Sequence, residues 1–383
     1  MAGLYIHVPF CKKACHYCNF HFSTNLALKT EILSAINSEL ILRKKDISEK
    51  LDTIYLGGGT PSLMNQTEIT NLFDCIYTNY NVSTAPEITM EANPDDLTKE
   101  KLLQLYDGPI NRLSIGLQSF YEQDLIYMNR SHNATQAEQC VLDALNVGFE
   151  NISVDLIYGS PTTSNTQWQS NVDRVIDFGL PHISCYALTV EPKTALDHFI
   201  KTGKMAAPVD EQISKQFELL MEACAEKGYE HYEISNFAKD GAYSQHNTSY
   251  WQNKEYLGIG PGAHSYNGKR RLWNIANNPA YLKAIMNWRE NADFNPEGHL
   301  YDYENLSIHD KYNEYVMTGF RTIWGVSLKH IEDKFSPAIK DYFIKSIKNR
   351  LLSGEVVENN GVYTLNKSGK LQADGIAAEL FMV

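Results

Sequence analysis

The sequence has no apolar run that approaches the roughly 20 residues of a membrane-spanning helix, and no basic-then-apolar leader. It also lacks a positive charge balance, because 34 Lys and Arg stand against 46 Asp and Glu for a formal net charge of −12. A basic face supplies most nucleic-acid affinity, so we expect no nucleic-acid partner. These absences predict a cytoplasmic protein that does not span a membrane.

A disulfide framework is also missing. The cysteine count is seven, an odd number, and four cysteines (Cys75, Cys140, Cys185 and Cys224) are scattered singly along the chain. Single cysteines in apolar surroundings are usually small buried hydrophobes, and this usage indicates a reducing compartment.

The other three cysteines form the run Cys11-x3-Cys15-x2-Cys18, which has no fourth member. Thiolates are the usual ligands of iron–sulfur clusters, and a four-iron cube held by three of them leaves one iron open to an outside ligand. The alternative is a Cys3His zinc site. The histidines that could complete it are His7, His16 and His21. The spacing favours the cluster, because the sequence has no second C-x2-C pair.

Apolar strand-like runs alternate with amphipathic helical stretches through the first half of the chain, which predicts a parallel α/β sheet. The predicted strands are Leu4–Val8, Thr53–Leu56, Glu87–Met90, Arg112–Ile115, Asn151–Leu156 and His182–Ala187. The predicted helices are Leu28–Lys44, Thr67–Tyr80, Thr98–Tyr106, Ala134–Val147 and Thr166–Phe178. The six predicted strands give six βα units, two fewer than a closed (β/α)8 barrel needs, so we expect an open, partial (β/α)6 barrel.

Polar or glycine-rich residues follow the carboxyl ends of these strands. Gly57-Gly-Gly-Thr-Pro61 closes the second strand, and Glu91, Gln118 and Asp155 lie at the ends of the third, fourth and fifth. Arg130 follows a short helix after Gln118. Because the carboxyl ends of parallel strands meet at one mouth, we expect these groups to converge there with the cysteines.

The pattern changes beyond residue 200. Residues 208–227 predict one helix, Tyr229–Phe237 a strand, residues 291–305 a linker, and the tail a group of helices with a hairpin at Glu355–Leu365. We therefore expect a domain at 1–295, with the barrel at about 1–200 and an extension at 201–295. A smaller, winged-helix-like domain is expected at 296–383.

The cysteine run, the Gly-Gly-Gly-Thr-Pro run and Glu-x-x-Pro, each at the end of a strand, together resemble the radical S-adenosylmethionine superfamily over residues 4–190. Tyr5-x-His7-x-Pro-Phe-Cys11 and Ser114-Ile-Gly-Leu-Gln118-Ser-Phe are similar to the oxygen-independent coproporphyrinogen III oxidase and its relatives. Two departures separate the chain from that oxidase: Phe20 replaces its fourth cysteine, and its N-terminal extension is missing. The run His246-Asn-Thr-Ser-Tyr-Trp251 instead resembles the HNxxYW motif of the haem chaperone branch.

The resemblance implies two cofactors in the barrel. Cys11, Cys15 and Cys18 are expected to bind a [4Fe–4S] cluster, with S-adenosylmethionine on the open iron. The other expected cofactor contacts are Gly58, Gly59 and Thr60 at the methionyl end, Tyr5 and Tyr17 near the cofactor, and Glu91, Gln118, Arg130 and Asp155 around the nucleotide.

The chaperone branch further implies that His246 binds haem, since a neutral imidazole is a good axial ligand. Haem-accepting apoproteins, such as membrane respiratory complexes, are the implied partners, and a homodimer is implied as well. Two alternatives stay open. One is an oxidase that decarboxylates coproporphyrinogen III to protoporphyrinogen IX; the other is a zinc-stabilised interaction module. The sequence leaves open whether the chain acts as an enzyme.

Overall fold

Six parallel strands form the centre of the main sheet in the computed structural model, which describes residues 2–382. They are β1 (Ala2–Val8), β2 (Leu51–Gly58), β3 (Val82–Ala92), β4 (Arg112–Gln118), β5 (Ile152–Tyr158) and β6 (His182–Ala187). Each strand pairs in parallel with the next one in chain order. The predicted partial barrel is confirmed, although β3 begins five residues earlier than the apolar run indicated.

Helices between these strands cover the outside of the barrel. They are α1 (Lys29–Leu42), α2 (Gln66–Asn79), α3 (Lys99–Tyr106), α4 (Glu122–Tyr127), α5 (Ala134–Val147) and α6 (Asn165–Asp177). Asn65, Asn133 and Ser164 close capping boxes at the starts of α2, α5 and α6. Such caps satisfy backbone N–H groups that a helix start leaves unpaired, which is why the predicted boundaries hold to within two residues.

The extension lengthens the barrel sheet on both sides. Its elements are α7 (Ala195–Lys201), α8 (Asp210–Glu226), β7 (Glu230–Glu233), β8 (Asn236–Ala238), α9 (Gln245–Trp251), β9 (Tyr256–Ile259), β10 (His264–Tyr266), β11 (Arg270–Asn274), α10 (Asn278–Glu290) and β12 (Tyr301–Asn305). The strand order is β12-β11-β10-β9-β1-β2-β3-β4-β5-β6-β8-β7. The single strand predicted at Tyr229–Phe237 is wrong, because β7 and β8 form an antiparallel hairpin there.

The predicted linker at 291–305 contains structure. All five residues of β12 pair with β11, so residues 301–305 are part of the main sheet. The division of the chain at residue 295 stays a prediction.

The rest of the chain packs around a separate apolar core, which extends from Tyr312 to Leu380. Its elements are α11 (Ile308–Phe320), β13 (Val326–Ser327), α12 (Leu328–Lys334), α13 (Pro337–Leu352), β14 (Val356–Asn359), β15 (Val362–Leu365), α14 (Lys367–Lys370) and α15 (Ala373–Glu379). The last strands form the predicted hairpin, which β13 extends to a three-stranded sheet. In residues 2–382 no helix is both long and apolar enough to cross a membrane.

A buried carboxylate joins α1 to the extension. Glu39 accepts hydrogen bonds from Arg43 Nη1 at 3.0 Å, Asn274 Nδ2 at 2.8 Å, Tyr281 Oη at 2.6 Å and the Gly260 amide at 2.8 Å. Both charged residues are almost fully buried, at 0% exposure for Glu39 and 1% for Arg43. Buried charges are tolerated only where their partners are in place, so this network fixes α10 and β9–β11 against the barrel.

We expect Glu39→Gln to lower the free energy of unfolding by about 3–5 kcal/mol, because it leaves the buried Arg43 guanidinium without its main counter-charge. Urea unfolding followed by circular dichroism measures the change. Glu31→Gln, an exposed acid on the same helix, serves as the control and should stay within about 0.5 kcal/mol of wild type. Equal losses in the two variants would contradict the role given to the network.

Candidate functional site

A cavity of about 430 Å³, which we name the thiol cavity, opens at the carboxyl ends of the barrel strands. The predicted residues that line it are Cys11, Cys15, Tyr17, Cys18, Gly58, Gly59, Thr60, Glu91, Gln118, Arg130 and Asp155. Tyr5 and His246 lie elsewhere. The convergence predicted from the strand ends is therefore present, because β1 to β5 deliver their loops to one mouth.

Neighbouring loops hold the cysteine loop in place. Thr60 Oγ1 donates a hydrogen bond to Cys11 Sγ at 3.3 Å, and Arg130 Nη1 donates one to Cys15 Sγ at 3.3 Å. Asn129 Nδ2 bonds the Ala14 carbonyl at 2.7 Å. Burial raises the pKa of the Cys11 thiol to about 11. Since metals bind the thiolate, loading this site with iron must release protons.

The histidines that a zinc site would need are engaged elsewhere. His7 shares hydrogen bonds with Tyr5 Oη at 3.2 Å and with the His21 carbonyl at 2.8 Å. His21 Nε2 lies 2.8 Å from Asn278 Oδ1, and His16 Nδ1 lies 2.9 Å from a backbone carbonyl. Across residues 2–382, no three or more His, Cys, Asp and Glu side chains, the three thiols included, are grouped closely enough in this conformation to hold one metal ion. His7, with both ring nitrogens hydrogen-bonded, is therefore unsuited to complete a zinc site.

The glycine run packs directly against the cysteine loop. A Cβ on Gly59 would lie 2.6 Å from the Phe10 carbonyl oxygen and 2.7 Å from the Phe10 amide nitrogen, which real Cβ atoms do not tolerate. Gly58 has a φ of +113°, a conformation that side chains with a Cβ rarely adopt. The run therefore brings the end of β2 against the thiol loop, in addition to exposing backbone to a ligand.

Two partly buried carboxylates face the same cavity. Glu91 accepts hydrogen bonds from Tyr55 Oη at 2.9 Å and from the Gly58 amide at 3.2 Å, and burial raises its pKa to about 7. Burial also raises the pKa of Asp155, to about 6, although Ser114 Oγ lies 3.4 Å from it. Desolvated carboxylates with these partners suit an ammonium group or a pair of ribose hydroxyls.

Arg130 and Gln118 present polar atoms that the described part of the chain leaves unsatisfied. Arg130 Nη2 donates to Asn93 Oδ1 at 2.7 Å and to the Gly116 carbonyl at 2.8 Å. Within residues 2–382, however, the buried atoms Arg130 Nε and Gln118 Oε1 have no hydrogen-bond partner. Unsatisfied buried groups are rare in native proteins, and a polar ligand in the cavity accounts for these two. Together with the thiols and carboxylates, they fit a cluster that carries S-adenosylmethionine.

Sequence reasoning missed two residues that position the others. Asn93 orients Arg130, and Tyr55 donates to Glu91. Asn93 had a signal, since it lies in the Glu-x-x-Pro run that begins at Glu91. Tyr55 had none, because it is one of several large residues in a buried strand.

Tyr5 lies below the cavity rather than in its wall. Its ring stacks on Tyr55 with centroids 6.1 Å apart, and its hydroxyl bonds His7. Its predicted cofactor contact is thus indirect in this conformation, through Tyr55 and Glu91.

His246 lies inside the barrel, on α9, and is only 1% exposed. Nδ1 is 2.7 Å from Thr53 Oγ1, Nε2 is 2.7 Å from Tyr250 Oη, and the ring stacks on Tyr55 at 5.1 Å. Burial lowers the pKa of His246 to about 3. Both ring nitrogens are therefore occupied, and this conformation offers neither to iron. Haem ligation by His246 stays a prediction that requires at least one of these hydrogen bonds to open.

Comparisons with known proteins identify the family of the chain. The family model of the radical SAM superfamily matches residues 5–175. The haem chaperone HemW of Bacillus subtilis is 33% identical over 375 residues, which are 97% of each chain. HemW of Lactococcus lactis is 32% identical over 93% of this chain and 90% of its own. This chain belongs to the HemW family of radical SAM proteins.

A solved structure confirms the fold expected for a HemW family member. Coproporphyrinogen III oxidase (HemN) from Escherichia coli superposes with a TM-score of 0.84, covering 100% of this chain and 90% of that one, at 21% identity. At that identity the likeness shows a shared architecture and leaves the activity to other arguments.

We expect Gly59→Ala to prevent full cluster assembly, because its Cβ collides with the Phe10 backbone and pushes the cysteine loop away from β2. Iron and acid-labile sulfide, measured after anaerobic reconstitution, should fall well below the wild-type values. Gly375→Ala, which meets nothing within 4 Å, is the matched control and should reconstitute fully. A full complement of iron and sulfide in Gly59→Ala would refute this account of the glycine run.

The raised pKa of Glu91 predicts a pH-dependent affinity for S-adenosylmethionine. The ligand's ammonium or hydroxyl groups favour the ionised carboxylate, so binding should weaken as the pH falls through about 7. Below that pKa, the affinity for S-adenosylmethionine should fall by at most about tenfold for each pH unit. Calorimetric titration of wild type and Glu91→Gln at each pH isolates the effect, because the ligand's own titration is common to both. A constant ratio of the two affinities from pH 6 to 8.5 would show that Glu91 does not contact the ligand.

Proposed function

We propose that this protein binds haem and delivers it to haem-requiring apoproteins, while its barrel carries a [4Fe–4S] cluster and S-adenosylmethionine. The observation that carries the proposal is the identity of about a third with proteins named haem chaperone HemW, extended over nearly the whole chain. The cavity adds independent support, since it gathers three thiols, two partly buried carboxylates and two unsatisfied polar groups.

The protein's own residues would hold and orient the cofactors. Cys11, Cys15 and Cys18 are the proposed cluster ligands, and Thr60 and Arg130 fix two of these sulfurs by hydrogen bonds. When bound, the cluster supplies an electron to the sulfonium of S-adenosylmethionine; that chemistry belongs to the cofactors.

The other proposed contacts follow the length of S-adenosylmethionine in the cavity. Gly58 and Gly59 would meet the methionyl end together with Thr60. Glu91 and Asp155 would accept hydrogen bonds from the donor groups of the ligand. Gln118 and Arg130 would lie beside the nucleotide, and Arg130 Nη1 lies 3.4 Å from Tyr17 Oη. The buried aromatic floor under Glu91 excludes water from this side.

Haem acceptors are proposed from the family alone. Membrane respiratory complexes are the proposed recipients, the cytoplasm is the proposed location of this protein, and a homodimer is the proposed assembly. These proposals rest on the resemblance to haem chaperones.

The second candidate function is oxidative decarboxylation of coproporphyrinogen III. It is kept because Gln118, Arg130 and Asp155 line the cavity, where the oxidase resemblance expects a cofactor. Phe20, at the position of the oxidase's fourth cysteine, is 70% exposed at the rim and cannot act as a ligand. Anaerobic incubation with coproporphyrinogen III, dithionite and S-adenosylmethionine decides between the two functions, since protoporphyrinogen IX would establish the oxidase.

We expect Cys15→Ala to separate the two proposed cofactors. It removes a cluster ligand, so acid-labile sulfide should be almost absent after reconstitution, whereas haem binding, followed by the Soret band, should persist. Wild type offered iron, sulfide, S-adenosylmethionine and haem together should take up all of them. Failure of wild type to change the Soret band of added haem would overturn the chaperone proposal.

A further inference from the structure

Three flat side chains lie against one another beneath the thiol cavity. The ring of Tyr55 on β2 stacks on that of Tyr5 on β1, with centroids 6.1 Å apart, and on that of His246 on α9, at 5.1 Å. Tyr5 and His246 are themselves 6.5 Å apart, and the three interplanar angles of 25°, 26° and 29° make the rings nearly parallel. The ring of Tyr55 therefore has little freedom to turn.

The hydroxyl of Tyr55 is held against a carboxylate of the thiol cavity. Tyr55 Oη donates a hydrogen bond to Glu91 Oε1 at 2.9 Å, and the Gly58 amide donates one to Oε2 at 3.2 Å. A Cβ on Gly57 would lie 3.0 Å from the rings of both Tyr5 and Tyr55, and 3.1 Å from the same carboxylate oxygen. With so little space around it, the carboxylate keeps its position as long as the Tyr55 ring keeps its own.

The other side of the stack is anchored to α9. His246 Nδ1 lies 2.7 Å from Thr53 Oγ1, and Nε2 lies 2.7 Å from Tyr250 Oη. Thr53 and Tyr55 are two residues apart on β2, so their side chains leave the same face of the strand. The imidazole thus joins β2 to α9, and a shift of α9 moves the ring on which Tyr55 rests.

We propose that Tyr55 is a positioning residue for S-adenosylmethionine and that its ring couples the thiol cavity to α9. The inference rests on the proposed binding of S-adenosylmethionine and goes beyond it, because it assigns control of that binding to a side chain that does not line the cavity. The Tyr55 hydroxyl keeps Glu91 ionised and in place for the donor groups of the ligand. Through His246, the position of α9 sets the affinity without any contact with the ligand.

The hydrogen bond from Tyr55 also affects the charge of Glu91. Burial raises the pKa of Glu91 to about 7, and the hydrogen bond from Tyr55 opposes that rise. A hydrogen bond to a charged group contributes about as much free energy as a change of one in pKa, so its loss should raise the pKa of Glu91 to about 8.

Other titratable groups near Glu91 come from five elements packed around it. They are Tyr5 on β1, Cys18 in the cysteine loop, Asp155 on β5, Tyr186 on β6 and Tyr250 on α9. Burial raises the pKa of the three tyrosines and of Cys18, and it raises the pKa of Asp155 to about 6. Glu91 is therefore the member of this group whose charge changes most between pH 7 and pH 8.5.

The test is calorimetric titration of the full-length, cluster-loaded protein with S-adenosylmethionine. Tyr55→Phe keeps the ring and removes the hydroxyl. The affinity should fall about fivefold at pH 7 but less than about twofold at pH 8.5, where most of Glu91 is ionised in both proteins. Tyr80→Phe also removes a buried hydroxyl, one that donates to the Leu40 carbonyl at 2.8 Å, and is the matched control that should leave both affinities unchanged.

A second variant tests the link to α9. His246→Gln keeps polar groups for Thr53 and Tyr250 but lacks the flat ring, so the affinity at pH 7 should fall by at least about twofold, as the loss of an aromatic pair implies. In a Tyr55→Phe background the same change should have no further effect, because the hydroxyl through which it acts is gone. Since coupling is reciprocal, S-adenosylmethionine should slow amide hydrogen exchange in α9 of wild type but not of Tyr55→Phe.

Iron and sulfide content, measured in every variant, shows that the barrel is still folded. If wild type binds no S-adenosylmethionine, the proposed cofactor set fails and this inference fails with it. If wild type binds the ligand and Tyr55→Phe binds it equally well at pH 7, the inference alone is overturned. An equal fall in Tyr80→Phe, an additive fall in the double variant, or equal slowing of exchange in wild type and Tyr55→Phe overturns it as well.

Discussion

The close contact between the glycine run and the cysteine loop is the constraint on which the cavity depends. Gly59 meets the Phe10 backbone at a distance that excludes any side chain, and its amide donates to the Val8 carbonyl at 3.0 Å. These contacts fix the ends of β1 and β2 beside each other. Thiols from one strand end and glycine backbone from the next therefore line the same cavity, and later strands add polar groups to it.

Buried rings connect the thiol cavity to α9. Tyr55 donates a hydrogen bond to Glu91 at the thiol cavity and stacks on His246, which bonds Tyr250. His246 is thus a member of the core beneath the cavity, and burial lowers its pKa to about 3. Its imidazole also lies 2.7 Å from Thr53 Oγ1 on β2, so it holds α9 against the barrel, which is a structural reason for a histidine at this position of the motif.

Sequence reasoning was sufficient for the barrel and for eleven of the residues that line the thiol cavity, although Tyr5, which was expected at the cofactor, lies outside its wall. Strand ends are marked by sharp changes from apolar to polar or glycine residues, and parallel pairing sends them to one side, so Glu91 and Asp155 could be placed without coordinates. Asn133, a capping residue directly before the predicted helix Ala134–Val147, marked the start of α5 equally well.

Features that depend on distant packing could not be predicted in this way. The hydrogen bonds of His246 come from Thr53 and Tyr250, 193 and 4 residues away in the chain, and no local pattern reveals the first of them. The polar composition of residues 291–305 favoured a linker, yet β12 pairs with β11 because a sheet edge supplies backbone partners whatever the side chains.

We infer that three thiolates leave one iron of a cubane open to S-adenosylmethionine. Electron paramagnetic resonance of the reduced, reconstituted protein, recorded with and without S-adenosylmethionine, is the most direct test. We expect a [4Fe–4S] signal whose g values shift when the ligand is added. A spectrum that S-adenosylmethionine leaves unchanged, or a protein that retains one zinc ion and no sulfide, would contradict it.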